Sequence, residues 1–295
     1  MLLLAQAVPL MVALFFLFPR IGPIWELSID TNAPPIGLSN QMTPGDVGNL
    51  SMSEKLAFRV EFDGKIPPQQ ELYWRAAIFD RYDGRTWYSA ELETLRPFNK
   101  GELEIARNSP SYRYRVFLEA TGQRWLMTMP FATISGTKNI ATNSLVHFTD
   151  DDIDTTLSYE AQTYTAFEHQ SLTLTLADYN RHTQLPDNLN PQAQRFARQQ
   201  LRLANNNSVE LANNLLKWFF EQPFFYTLKP PKLSEHRIDS FLFDTRQGFC
   251  AHYASAFVYL MRSVGIPARM VAGYQGGELH PSGRYLLVHQ YDAHA

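Results

Sequence analysis

Between Ser53 and Ala177 apolar side chains return at every second position. Leu56, Phe58, Val60 and Phe62 alternate with Ala57, Arg59 and Glu61; Leu72, Trp74, Ala76 and Ile78 line one face of the next run; Tyr112, Tyr114, Val116 and Leu118 line a third, and Leu172, Leu174 and Leu176 a fourth. Successive strand side chains point to opposite faces, so a period of two predicts strands buried on one side only. Asp83-Gly84, just ahead of Thr86-Trp87-Tyr88, is a tight-turn signal. Repeated strands of this kind predict an antiparallel β-sandwich over residues 53–185, and nothing in it carries chemistry. Asp150, Asp151, Asp152 and Asp154 begin like a calcium loop, but Thr155 and Ala161 stand where such a loop needs Gly and Glu. The cluster therefore reads as a solvated turn.

The period changes after Leu185-Pro186-Asp187-Asn188-Leu189-Asn190-Pro191. Asn190 can cap a helix that Pro191 opens and that runs to about Ala204. Asn205-Asn206-Asn207 breaks it, and Ser208 can cap a second helix through Leu211, Leu215, Trp218 and Phe219, stopping near Pro223. Pro230-Pro231 follows. Tyr253, Ala254, Phe257, Val258, Met261 and Val264 then recur at helical spacing between Gly248 and Gly265, which puts Cys250 in the first turn of a buried helix. Ala268–Tyr274 and Arg284–His289 read as strands joined by Gly276-Gly277 and a longer loop, and Tyr291–Ala295 continues the second strand or begins another. Residues 186–295 thus form a second, α+β domain.

From Leu2 to Phe18 no residue is charged, and only Gln6 and Pro9 interrupt the apolar run. The run is apolar all round, lacks a preceding Lys or Arg, and has no small-x-small cleavage site, so it predicts a transmembrane helix over residues 1–20 rather than a signal peptide or a core helix. Arg20 taken alone would put the following chain on the cytoplasmic side. Pro34-Pro35, Gly37, Pro44-Gly45 and Gly48 make residues 21–52 an extended linker. A net charge of −3 with 19% charged residues leaves no basic stripe, which argues against a nucleic-acid partner. The single cysteine excludes an internal disulfide and cysteine-rich zinc modules.

That cysteine, Cys250, is the candidate nucleophile. Unpaired N–H groups and the dipole at a helix start favour a thiolate, which predicts a lowered pKa. A thiol also needs a base that returns its proton to a leaving amine, and imidazole does both. Five histidines follow residue 230: His236, His252, His280, His289 and His294. His252 is two residues from Cys250, where helical side chains diverge, and reads as structural. His280 sits in a Gly/Pro loop. His289 and His294 both lie beyond the helix, where a sheet edge can meet the cysteine. No paired-histidine zinc motif accompanies them.

Phe241-Leu242-Phe243-Asp244-Thr245-Arg246-Gln247-Gly248-Phe249-Cys250, His252-Tyr253-Ala254-Ser255-Ala256, Gly265-Ile266-Pro267-Ala268-Arg269, Gly273-Tyr274-Gln275-Gly276-Gly277-Glu278 and Asp292-Ala293-His294-Ala295 resemble the core of the transglutaminase-like superfamily, most nearly its bacterial membrane-anchored TgpA type. Tyr73-Trp74-Arg75 and Tyr82-Asp83-Gly84-Arg85-Thr86-Trp87 are similar to the β domain that precedes that core. The resemblance implies Cys250 as nucleophile and His294, rather than His289, as acid and base. It implies an inner-membrane anchor, with the soluble part facing the periplasm against the Arg20 indication, and an acyl transfer from protein glutamine side chains to amines that uses no cofactor and no metal. The family's third, acidic member belongs to a later strand and is absent from this chain, which looks C-terminally truncated; Asp292, two residues from His294, is a substitute on the same strand face. Ala251 departs from the acidic residue usual after the cysteine. A cysteine protease or amidase with the same dyad, or a silent scaffolding module in cell-envelope assembly, are the alternatives.

Overall fold

Strands form at three of the four alternating runs, and their pairing crosses the expected domain boundary. The computed structural model describes residues 38–44, 53–92, 95, 97–98, 103–105, 109–165, 167–169 and 174–295. The predicted transmembrane helix and most of the 21–52 segment lie outside these residues; among the described residues no helix is long and apolar enough to cross a membrane. The described part of that predicted linker holds a strand, β1 (Gln41–Met42), which pairs with β4 (Trp87–Ser89).

The first sheet runs in the order β1-β4-β3-β10-β13, where β3 is Tyr73–Tyr82, β10 is Met270–Gln275 and β13 is Ala293–His294. All its pairings are antiparallel. The second sheet runs β11-β12-β2-β5-β7-β6: Glu278–Leu279, Leu286–His289, Leu56–Phe62, Ser111–Leu118, Leu157–Tyr164 and Ala132–Ser135. Both sheets therefore take strands from either side of residue 185, and residues 35–295 cluster as one compact unit. Each strand presents its own backbone to be paired, and alternation says which face is buried but not which neighbour satisfies it.

The sheets meet through aromatic rings. Phe58 packs edge-on against Trp74 and Tyr274 with centroids 5.5 and 5.4 Å apart, and Tyr114 meets Trp74 at 5.5 Å. Such pairs contribute about 1 kcal/mol each beyond the area they bury. Phe58 and Tyr114 come from the second sheet; Trp74 and Tyr274 come from the first, one from each half of the chain.

Among the described residues, four helices of eight residues or more lie outside the two sheets. Helix α1 (Leu176–Thr183) occupies part of the expected Leu172–Leu176 strand, because Thr175 caps it by accepting the Asp178 N–H at 3.1 Å. Helix α2 (Pro191–Leu203) starts at Asn190 as predicted, but Asn190 does not cap it. The Asp239 carboxylate takes the Gln192 and Ala193 N–H groups at 2.9 and 2.6 Å, while the Asn190 side-chain Oδ1 takes those of Ile238 and Asp239 at 2.9 and 3.3 Å. This exchange ties α2 to the segment leading into the cysteine helix. Helix α3 (Ser208–Glu221) is capped by Asn207, one residue before the predicted Ser208. Helix α4 (Cys250–Arg262) is buried on nearly every side, and Gly265 ends it in a left-handed turn. The Asp83-Gly84 turn presents Trp87 to α4, where its indole N–H donates to Ser255 Oγ at 2.8 Å.

Candidate active site

The site lies where the outer face of the first sheet meets the start of α4. Trp74 pairs with Tyr274 and turns into the sandwich. The next rung holds Arg75, Gly273 and His294 in register across three strands, and alternation sends it to the opposite face. Gly273 is required there: a Cβ on it would stand 1.9 Å from the Trp74 carbonyl oxygen. Gly273 puts no side chain between Arg75 and His294, whose strands are two spacings, about 10 Å, apart. Tyr73, two residues before Arg75, shares this face. Burial pushes its phenol up to about 12, the Arg75 charge opposes that, and the nearby Cys250 adds to it. Arg75 falls to about 10, mainly through burial.

Two short strands aim the cysteine. β8 (Phe225–Tyr226) runs parallel to β9 (Gln247–Gly248), with the Phe225 N–H on the Arg246 carbonyl and the Thr227 N–H on that of Gly248, both at 2.8 Å. Gly248 allows the close turn into α4, since a Cβ there would lie 2.7 Å from His252 Cγ and 2.9 Å from Phe241 Cε2. His252 has the structural role predicted for it. It is buried, its Nδ1 accepts the Phe249 N–H at 3.4 Å just before the helix, and burial together with the Arg237 charge lowers its pKa to about 4.

Cys250 is the first residue of α4 and is 8% exposed. The helix start does not lower its pKa as expected. Burial is the largest influence and raises it, outweighing the Ala295 N–H, the Tyr226 hydroxyl and the helix-start N–H groups that favour the thiolate. The Ala295 main chain lies beside the thiol, and His294, the residue before it, belongs to β13. The His294 side chain is open to solvent on one side, yet desolvation by the surrounding protein still lowers its pKa. Thiol and imidazole are thus both biased towards their neutral forms.

The other histidines lie elsewhere. His289 ends β12 in the second sheet and stacks on Tyr291 at 4.9 Å. His236 Nδ1 accepts the Asn190 N–H at 3.2 Å, and His280 stacks on Tyr285 within its loop. Asp292 belongs to a turn of 3-10 helix, Gln290–Asp292, rather than to the His294 strand. Its carboxylate accepts the His289 N–H at 2.9 Å, so the expected alignment with His294 on one strand face does not occur. Asp150, Asp151, Asp152 and Asp154 are exposed around the buried Ile153. Among the described residues no group of three or more His, Cys, Asp or Glu side chains is arranged to hold a metal ion.

Three participants were not foreseen: the Ala295 N–H, Tyr73, and Tyr226. Tyr73 belongs to the Tyr73-Trp74-Arg75 motif, and its alternation with Trp74 was the available signal. Tyr226 is close enough for its hydroxyl to meet both the thiol and the main-chain N–H of Cys250, the latter at 3.4 Å. Nothing in Phe224-Phe225-Tyr226 announces this, because it depends on the pairing of β8 with β9.

Comparison with known proteins supports the family resemblance. The family described as TgpA N-terminal domain matches residues 1–168, and the transglutaminase-like superfamily matches residues 194–295. The chain is 43% identical over 295 residues to a protein-glutamine gamma-glutamyltransferase of Pseudomonas aeruginosa, covering 99% of this chain and 43% of that protein. It is 27% identical over 251 residues to the uncharacterized protein YebA of Bacillus subtilis, covering 84% of this chain and 29% of that one. It thus spans less than half the length of these curated relatives. The crystal structure of the periplasmic domain of TgpA from Pseudomonas aeruginosa superposes with a TM-score of 0.81 at 41% identity, covering 88% of each chain. The same domain bound to ethylmercury superposes at 0.80, again with 41% identity, over 88% of this chain and 90% of that one. The chain belongs to the TgpA N-terminal domain family and carries a transglutaminase-like core.

Proposed function

We propose that the protein is a transglutaminase-type enzyme, a thiol acyltransferase acting on protein glutamine side chains, with Cys250 as nucleophile and His294 as acid and base. The observation that carries this reading is the place of Cys250 at the first residue of α4, with the main chain of Ala295, the residue after His294, near enough to favour its thiolate. The name and periplasmic domain of the Pseudomonas aeruginosa relative support the substrate class and a periplasmic location. The apolar run Leu2–Phe18 supports a membrane anchor.

Because burial favours the neutral thiol and neutral imidazole, the reaction starts with general-base catalysis rather than from a standing ion pair. His294 takes the thiol proton as sulfur attacks the carboxamide carbon, and the carbonyl electron pair moves to oxygen. When the C=O bond reforms, the C–N bond breaks and imidazolium returns its proton to the departing ammonia. A lysine amine or water then attacks the thioester carbon and gives a proton to His294; the C–S bond breaks, the sulfur takes that proton back as the thiol, and the product is a cross-link or a deamidated side chain. The test is Cys250→Ala in the purified protein, assayed by incorporation of a labelled amine into a glutamine peptide. Incorporation is expected to vanish, and an unchanged rate would exclude this chemistry.

The raised thiol pKa favours a second reading, a module that keeps the motifs without turnover. Selective alkylation of Cys250 distinguishes it. An active site alkylates faster than a buried thiol of the same pKa and slows when His294 is replaced.

A further inference from the structure

The acyl-transfer reading leaves one requirement unmet, a second hydrogen-bond donor for the oxyanion formed on the carboxamide. The first donor is the Cys250 main-chain N–H, at the start of α4. In the free protein that N–H points at the Tyr226 hydroxyl, 3.4 Å away, and the same hydroxyl is near enough to the Cys250 thiol to favour its thiolate. One phenol oxygen therefore occupies the place beside the Cys250 N–H where a carbonyl oxygen must settle as sulfur adds to its carbon.

The surroundings of Tyr226 separate a fixed backbone from a yielding ring. Main-chain bonds from its two neighbours to Arg246 and Gly248, both 2.8 Å, anchor β8. The ring lies parallel to that of Tyr253, 18° from coplanar at 6.3 Å, and is 61% exposed. An oxygen about 2.9 Å from each donor fits between them once the phenol withdraws by on the order of 1 Å. The open side of the ring permits that shift, while the anchored backbone keeps the hydroxyl within reach.

Resting on the acyl-transfer reading, we propose that Tyr226 is a catalytic residue, the second oxyanion donor. Its O–H holds the vacant position against the thiol in the free protein and turns to the substrate oxygen in the transition state. As the C–S bond forms, the carbonyl π pair becomes a lone pair on oxygen and accepts from the Cys250 N–H and the Tyr226 O–H. As the C–N bond breaks, that pair reforms the carbonyl and both donors are released. No proton leaves Tyr226, whose phenol burial holds above its ordinary pKa.

Tyr226→Phe keeps the ring and its stacking and removes only the hydroxyl. With a glutamine peptide and a labelled amine, kcat is expected to fall about 100-fold, with KM within about threefold of wild type. Alkylation of Cys250 by iodoacetamide passes through no oxyanion and is expected to fall less than tenfold. A kcat within threefold of wild type, or an increase, would overturn the proposal and make Tyr226 a cover over the thiol. Alkylation falling in step with kcat would overturn it too, leaving Tyr226 a thiolate holder. Wild type and Cys250→Ala are run alongside. If wild type shows no turnover dependent on Cys250, the acyl-transfer reading itself fails and takes the assignment with it. If wild type turns over and Tyr226→Phe equals it, only the assignment falls.

Discussion

The two ends of α4 bury an ionisable group each and treat them in opposite ways. At the C-terminal end Arg262 is 2% exposed, and its guanidinium donates to the carbonyls of Ala268, Arg181 and Gln184 at 2.8, 3.3 and 3.0 Å while lying 5.0 Å from the centre of the Trp87 ring. Burial lowers its pKa to about 10 and the Asp80 carboxylate opposes that shift, so the charge stays. At the N-terminal end Cys250 is nearly as buried, but its partners are few and do not offset the desolvation of a thiolate. A cation held by three carbonyls, even with its Nη2 left without a partner, cannot lose its charge cheaply and so fixes the loops around it. A group left short of partners holds its proton until a base removes it, which suits a nucleophile used only when substrate is present.

Both ends also hold a buried neutral imidazole, and this predicts the largest effect. His252 near the thiol, His182 near Arg262 and His147 in the sandwich each have a pKa lowered from 6.5 to about 4, chiefly by burial. A base with a folded pKa below its unfolded value is neutral in the fold, while the unfolded chain takes up a proton first as pH falls. Stability is therefore complete above about pH 6.5 and declines until about pH 4. Each histidine contributes up to about 1.4 kcal/mol per pH unit. Asp80 and Asp292, shifted upward mainly by burial, act in the opposite sense in the carboxylate range, so the slope is best read above pH 5. Urea midpoints at pH 7.5 and 5 should differ by several kcal/mol in unfolding free energy, and His182→Gln and His252→Gln should each remove part of the difference. A flat profile would show that these rings are charged in the fold.

Arg262→Leu sets the two ends directly against each other. The change leaves three carbonyls without their donor and takes one of the cations near Asp80, which keeps its ion pair with Arg181, at a cost of about 3 kcal/mol, or a fall in Tm of roughly 6–12 °C for a chain of this size. Alkylation of Cys250 should stay within about twofold of wild type, since twelve helical residues separate the ends by about 18 Å. A stable variant would mean that the carbonyls are served by water. A stable variant with an altered thiol would mean that the helix transmits strain between its ends.

How much of this was legible depends on the range of the interaction. Alternation at Trp74 and Arg75 announced a strand with one face inside and one outside, and the pattern from Gly248 to Gly265 announced a helix starting at the cysteine, because both signals are local. The Thr175–Asp178 cap was local too, but it competed with an alternating Leu pattern and won, which turned Leu176 into a helix start. The rung of Arg75, Gly273 and His294 was not legible, since pairing across the chain leaves no mark at the residues themselves. The thiol pKa was read in the wrong direction for a related reason. A helix start is visible in sequence, whereas the burial that outweighs it depends on everything packed around it.

The smallest effect tests the anchor between the β3–β4 turn and α4. Trp87 and Ser255 are both fully buried and share one hydrogen bond of 2.8 Å. Trp87→Phe removes the donor but keeps a ring for Arg262 to lie against, so the loss should be about 2 kcal/mol, part of it cavity and part the stranded serine hydroxyl. Ser255→Ala should cost about 1 kcal/mol, and the double variant less than the two together by about 1 kcal/mol, which isolates the bond itself. Costs that simply add would show that the Trp87 ring anchors α4 by packing alone, with the serine satisfied elsewhere. Because the bond lies between the two ends of α4, Cys250 alkylation provides a second readout. If it follows the stability loss, the thiol is poised by the position of the whole helix rather than by its own few partners.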